Sequence, residues 1–153
     1  TELGVWVFTA TIVAAFSRYP FTAAINVMLF FLAMLGAYYL YGYIVLGFFP
    51  RSYFLGWLVV ALLSPIAGFA VWFSKGKGVF GIIASSLPAS ILFASGYTAF
   101  YTHSFVSFLS LIFGLILIIL LPCTSRQKLL SFGLSVLLAF VISTFHLLRW
   151  LPF

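Results

Sequence analysis

The chain has 153 residues and a mass of 17.0 kDa, the size of one domain. It is 65% hydrophobic and only 5% charged, with seven Lys and Arg, one acid and one cysteine, where a soluble domain carries about 25% charged residues. That excludes a soluble enzyme, a disulfide scaffold and a disordered segment, and the unbroken apolar runs exclude a membrane barrel, whose strands alternate polar and apolar.

A membrane-crossing helix needs about 20 apolar residues, and six segments approach that length. The first, Leu3 to Phe16, is short and closes at Ser17-Arg18-Tyr19-Pro20. The second, Thr22 to Phe49, is long and is expected to tilt, or to bend near Gly36, Gly42 or Gly47. The third, Tyr53 to Phe73, contains Pro65 and is expected to kink there. After a tight Ser74–Gly78 loop, the fourth runs from Val79 to Thr102 and carries Pro88. His103 and Ser104 form a very short turn. The fifth, Phe105 to Leu121, stops at Pro122, and Ile118 is expected to face lipid. The sixth, Leu129 to Leu148, ends in Arg149-Trp150-Leu151-Pro152-Phe153. The whole chain, 1–153, reads as a single transmembrane domain with five to six membrane helices.

Loop charge orients it. The loops after segments one, three and five hold Arg18, Lys75, Lys77, Arg126 and Lys128; the opposite side holds Arg51 and Arg149. By the positive-inside tendency the first set, including loops 74–78 and 122–128, is expected in the cytoplasm. Both ends of the chain then face outward. With Thr1 as its first residue and a short first segment, the chain is expected to have a further helix upstream.

The inventory for catalysis is poor. There is no Asp, and the only Glu is Glu2, so paired carboxylates and a Ser-His-Asp triad cannot be built here. A zinc site would need His103, His146 and Cys123 together, and the alternating topology puts Cys123 on the side opposite the histidines. Neither enzyme activity nor a metal or cofactor is expected. Lys75-Gly76-Lys77-Gly78 lacks the glycine and hydroxyl spacing of a phosphate-binding loop. It reads as a turn whose lysines hold topology and touch anionic lipid. The basic residues stand singly or in pairs between apolar runs, so nucleic acid is not an expected partner.

Two patterns point to packing and binding. Small residues recur every four positions at Ser86, Ser90, Ala94 and Thr98, and again at Ser131, Ser135, Ala139 and Ser143. Residues four apart share one ridge of a helix, and small ridges let backbones approach. These are candidates for helix packing within the chain, for a subunit contact or for a polar seam. Asn26, the only amide within a span, is expected to bond to a neighbouring helix.

The second pattern is aromatic asymmetry. Seven tyrosines (38, 39, 41, 43, 53, 97 and 101) and Trp6, Trp57 and Trp150 fall on the outer side, with Tyr19 and Trp72 on the other. An ordinary aromatic belt populates both interfaces. Arg51, His146 and Arg149, with Tyr39, Tyr43 and Tyr97, are therefore candidates for an outward-facing site for a small anionic or aromatic ligand. The competing reading is a belt of interfacial aromatics with snorkelling arginines.

The stretch Ser17-Arg18-Tyr19-Pro20-Phe21-Thr22-Ala23-Ala24-Ile25-Asn26, followed by Met34 and Tyr38-Tyr39, is one recognisable passage. Phe49-Pro50-Arg51-Ser52-Tyr53, then Trp57, Ser64-Pro65 and Trp72, is the other. Together they resemble a family of small, uncharacterised polytopic membrane proteins of Gram-positive bacteria. The resemblance spans roughly the first half of the chain and implies a bacterial multi-pass membrane protein; it assigns no activity and no site. In size and helix count the chain is also similar to the substrate-capture subunits of energy-coupling-factor vitamin transporters, which have six helices and an outward site.

The expected fold is an all-α transmembrane bundle. The expected function is transport or substrate capture at an outward-facing site. The alternative is a non-catalytic assembly subunit that packs against a membrane-protein partner or a second copy of itself. The lipid bilayer is a partner in either case.

Overall fold

A computed structural model describes residues 3–97 and 99–145, apart from the side chains of Leu3 and Thr102. The fold is all-α, with no strand among the described residues. Its helices are α1 (Leu3–Ala15), α2 (Pro20–Tyr41), α3 (Arg51–Trp72), α4 (Val79–Gly96), α5 (Ala99–Thr102), α6 (Phe105–Leu120) and α7 (Ser125–Thr144). A π-helical turn, Gly42–Leu46, prolongs α2, and a 3₁₀ turn, Phe73–Lys75, prolongs α3. Four of these helical stretches are long and apolar enough to cross a membrane, and two shorter apolar helices, Gly4–Ala15 and Phe105–Leu120, complete the bundle. The chain is a helical membrane protein.

Local chemistry sets the boundaries. Pro20 opens α2, where its missing N–H costs nothing. The second segment changes from α- to π-helical geometry at Gly42, and Gly47, with φ of 63°, ends it in the left-handed region. Helix α3 runs unbroken through Pro65. The proline removes the amide that would bond to Ala61, and the Ser64 hydroxyl donates to that carbonyl instead, at 2.7 Å. Helix α4 ends at Gly96 and the short α5 begins at Ala99, both within the apolar stretch Val79–Tyr101.

Two tight subassemblies meet at α1. In one, α2 packs along α3 so closely that a Cβ at Gly68 would lie 3.0 Å from Val27 Cγ2 and 3.1 Å from the Ala23 carbonyl. In the other, α4 holds α6 on one face and α7 on another. Helix α1 touches α2, α3, α4 and α6. Its buried Ala10, Ala14 and Ala15 form a core with Ala23, Val27, Val71, Leu92, Leu117 and Leu121. At its start, Gly4 lies against Ser110 of α6, and the Phe8 and Phe113 rings stack at 4.4 Å. Ile118, expected to face lipid, is instead buried, and the exposed neighbour is Ile119. The shift is one helical position: Ile118 follows Leu117 and Gly114 onto the packed face of α6.

Three loops gather at one end. Trp72 Nε1 donates to the Ser17 carbonyl at 3.0 Å, and Asn26 Nδ2 to the Ser17 hydroxyl at 3.1 Å. Lys75 Nζ lies 3.5 Å from the centre of the Phe16 ring, and the Cys123 thiol donates to the Lys75 carbonyl at 2.8 Å. The segments bearing Arg18, Lys75, Lys77, Arg126 and Lys128 thus share a basic end of the bundle. Arg126 and Lys128 stand in the first turn of α7, where the helix dipole disfavours cations. Helix electrostatics does not account for their position.

Candidate functional site

The site begins with how α4 is shared. Near the basic end its contact with α7 is polar and close: the Ser85 and Ser131 hydroxyls lie 2.8 Å apart, and Ser135 Oγ donates to the Ser131 carbonyl at 2.6 Å and reaches the Ser86 carbonyl at 3.3 Å. Further along, the close contact is with α6. A Cβ at Gly96 would lie 2.6 Å from Leu111 Cγ, and one at Gly114 would lie 2.9 Å from Phe93 Cε1. Phe93 therefore lies over Gly114 of α6 and meets Phe132 of α7 edge-on, with ring centres 6.0 Å apart. Its ring is a wedge. Helices α6 and α7 scarcely touch each other, although both pack firmly on α4.

The gap is a groove of about 580 Å³. Phe93, Ala94, Tyr97 and Phe100 form its floor and upper edge, Leu111 and Leu115 one wall, and Phe132, Val136, Ala139, Phe140, Ser143 and Thr144 the other. From Phe132 to Thr144 it follows α7 for about 18 Å at 1.5 Å per residue. Its surface is overwhelmingly apolar. Hydroxyls collect at the end away from the basic loops: Tyr97, Ser143 and Thr144. The Tyr97 and Tyr101 hydroxyls lie 2.9 Å apart, and Thr144 Oγ1 donates to the Phe140 carbonyl at 2.8 Å, leaving its lone pairs available. The described lining contains no charged side chain. Volume, concavity and a few convergent polar groups are what small-molecule sites have in common.

The residues singled out in the sequence are distributed as follows. Tyr97 lines the groove; Tyr39, Tyr43 and Arg51 are not in its described lining. Tyr39 is buried in an aromatic cluster with Tyr38, Phe49 and Phe54 at the top of the α2–α3 pair. Tyr43 is exposed on the π-helical turn, and Arg51 is exposed at the first position of α3. His146, Arg149 and Trp150 lie outside the described residues, as does Thr98. The small residues Ser86, Ser90, Ala94, Ser131, Ser135 and Ala139 are all buried, with Ala94 and Ala139 reaching the groove. Ser85, which the four-residue spacing passed over, makes the direct hydroxyl contact with α7.

Most groove residues carry no mark in the sequence. Leu111, Leu115, Phe132, Val136 and Phe140 are apolar positions on membrane helices, indistinguishable by type from lipid-facing ones. The available signal was Gly96 and Gly114, whose missing side chains allow α4 and α6 to close and Phe93 to intrude.

No family model matches this chain, and neither a curated protein nor a solved structure shows a significant match to it.

Proposed function

We propose that this membrane protein captures a small, largely apolar molecule in the groove between α6 and α7, as the binding component of a transport or uptake process. The observation that supports the reading is the groove itself, about 580 Å³ with one hydroxyl-bearing end and an apolar remainder. The basic end is the cytoplasmic one in this reading, so the hydroxyl end faces outward. An apolar or weakly polar compound suits the described lining, which holds no charged side chain; His146 and Arg149 lie outside the described residues. Arg51 lies outside that lining and serves at the interface. The protein performs no chemistry on its ligand, and a partner supplies energy.

A partner helix seated in the groove is the competing occupant. Thermal unfolding in mild detergent with a panel of apolar, aromatic and amphipathic compounds tests the proposal. A ligand that binds only the folded state stabilises it by about 2.7 kcal/mol at 100 times its dissociation constant. The shift should vanish in Val136→Trp, which fills the groove from an exposed wall position. A panel in which no shift depends on Val136 contradicts it.

A further inference from the structure

Independently of the groove, we propose that the paired N-termini of α4 and α7 bind a phosphate group, carried by a lipid headgroup or by a soluble compound. The two helices start side by side at the basic end. Ser85 stands six residues after Val79, Ser131 stands six after Ser125, and their hydroxyls lie 2.8 Å apart. Ser135 then reaches the Ser86 carbonyl, so the helices run parallel and in register. Each N-terminus carries about half a positive charge, and two together raise the local potential. Neither first turn holds an acid, and neither N-cap, Gly78 or Thr124, makes a side-chain cap bond. The first turns close from Ile82 N–H to the Gly78 carbonyl at 3.3 Å and from Lys128 N–H to the Thr124 carbonyl at 3.0 Å. The amides of Val79, Phe80, Ser125 and Arg126 stand ahead of those bonds, on exposed residues. Lys77 and Arg126 add full charges at the same place. Lys75 is already engaged, its ammonium 3.5 Å from the centre of the Phe16 ring.

Two buried polar groups border this pair of helix starts. Thr124 and Gln127 have the spacing of a capping box, in which each side chain bonds the other residue's backbone N–H. That box is not formed. Gln127 is instead drawn inward, only 9% exposed, and its Oε1 has no hydrogen-bond partner. It stands on the ridge of α7 that faces α4, one turn before Ser131, and so between the two N-termini. The matching position on α4, one turn before Ser85, is the buried Gly81. A Cβ at Gly81 would lie 3.5 Å from the Ser74 carbonyl, so Ser74 borders the same corner. Ser74 is fully buried, and its Oγ also lacks a partner. Groups of this kind cost stability unless something completes them. With a phosphate at the mouth, the Gln127 carboxamide turns over and donates through Nε2, beside the exposed amides and the side chains of Lys77 and Arg126. The positive-inside tendency explains which end carries the basic residues. It does not explain cations in the first turn of a helix, where the dipole opposes them; an anion held between the two starts removes that opposition.

The test is thermal unfolding of the whole chain in mild detergent at constant ionic strength. In one arm inorganic phosphate replaces chloride; in the other, phosphatidylglycerol or phosphatidylcholine is added to the micelles. Phosphate, phosphatidylglycerol or both should raise the melting temperature above that in chloride or phosphatidylcholine. A shift with inorganic phosphate alone marks a soluble source, and one with phosphatidylglycerol alone marks a headgroup. The concentration giving half the shift should rise at least about tenfold when Lys77→Gln and Arg126→Gln are combined. It should barely change in Arg18→Gln, which removes a cation from the same end of the bundle. Gln127→Leu should melt higher than the parent in chloride, because a buried group without a partner is gone, and should lose most of the shift. The melts in chloride show that each variant is folded. Val136→Trp, which fills the groove, should leave the shift unchanged, so this result stands or falls apart from ligand capture. Three results overturn the site: no shift in either arm, equal weakening by Arg18→Gln, which marks diffuse attraction to the basic end, or a full shift in Gln127→Leu.

Discussion

Gly96 and Gly133 make a matched pair of residues. A Cβ at Gly96 would meet Leu111 at 2.6 Å, whereas at Gly133, on the exposed face of α7, nothing lies within 4 Å. Gly96→Ala should destabilise the fold by about 1–3 kcal/mol through overpacking. Gly133→Ala should be neutral or stabilise by up to about 1 kcal/mol through helix propensity. Thermal unfolding of the two variants side by side checks this, and similar melting temperatures would deny the close α4–α6 approach. The serines act through size as much as through hydrogen bonds. An interhelical side-chain bond within a membrane contributes about 0.6 kcal/mol on average, so Ser135→Ala should cost little. Ser131→Leu, which forces a large side chain between α4 and α7, should cost several times more in the same measurement. The recurrence of small residues was legible in the sequence because it follows the helical period. That Ser85 rather than Ser86 brings its hydroxyl to the Ser131 hydroxyl was not, because both neighbours are serine and only the rotation of α4 distinguishes them.

At the scale of elements, six apolar segments were legible because length and hydropathy decide them. How the backbone is satisfied at Pro65 was not, because that depends on local hydrogen bonding. In α3 the Ser64 hydroxyl takes over the carbonyl that Pro65 leaves free. Loop charge was legible as a count, and the fold gathers those loops at one end through Ser17, Trp72, Lys75 and Cys123. The membrane side of that end is an expectation with its own test. In a Cys123→Ser background, Lys77→Cys should resist an impermeant thiol reagent added outside intact cells, and His103→Cys should react. Both positions are exposed. The reverse pattern would put the hydroxyl end of the groove on the cytoplasmic side.

For the molecule as a whole, the site is a product of three-dimensional packing that residue types do not announce. The tyrosine-rich outer half drew attention to Tyr39, Tyr43 and Tyr97 together, yet helical geometry sends Tyr39 into the α2–α3 aromatic cluster and leaves Tyr43 on the surface. Tyr97 reaches the groove because α4 is held between α6 and α7. The wedge of Phe93 over Gly114 is the device that keeps those helices apart, so Phe93→Ala should let α6 and α7 approach and reduce the proposed ligand capture even though the fold persists. The most direct test is a density map of the protein purified from its own membranes without added lipid. The expected result is ligand density in the groove between Leu115 and Val136, near Tyr97 and Ser143. A groove closed by direct contact between α6 and α7, or filled by the helix of a partner, would contradict it.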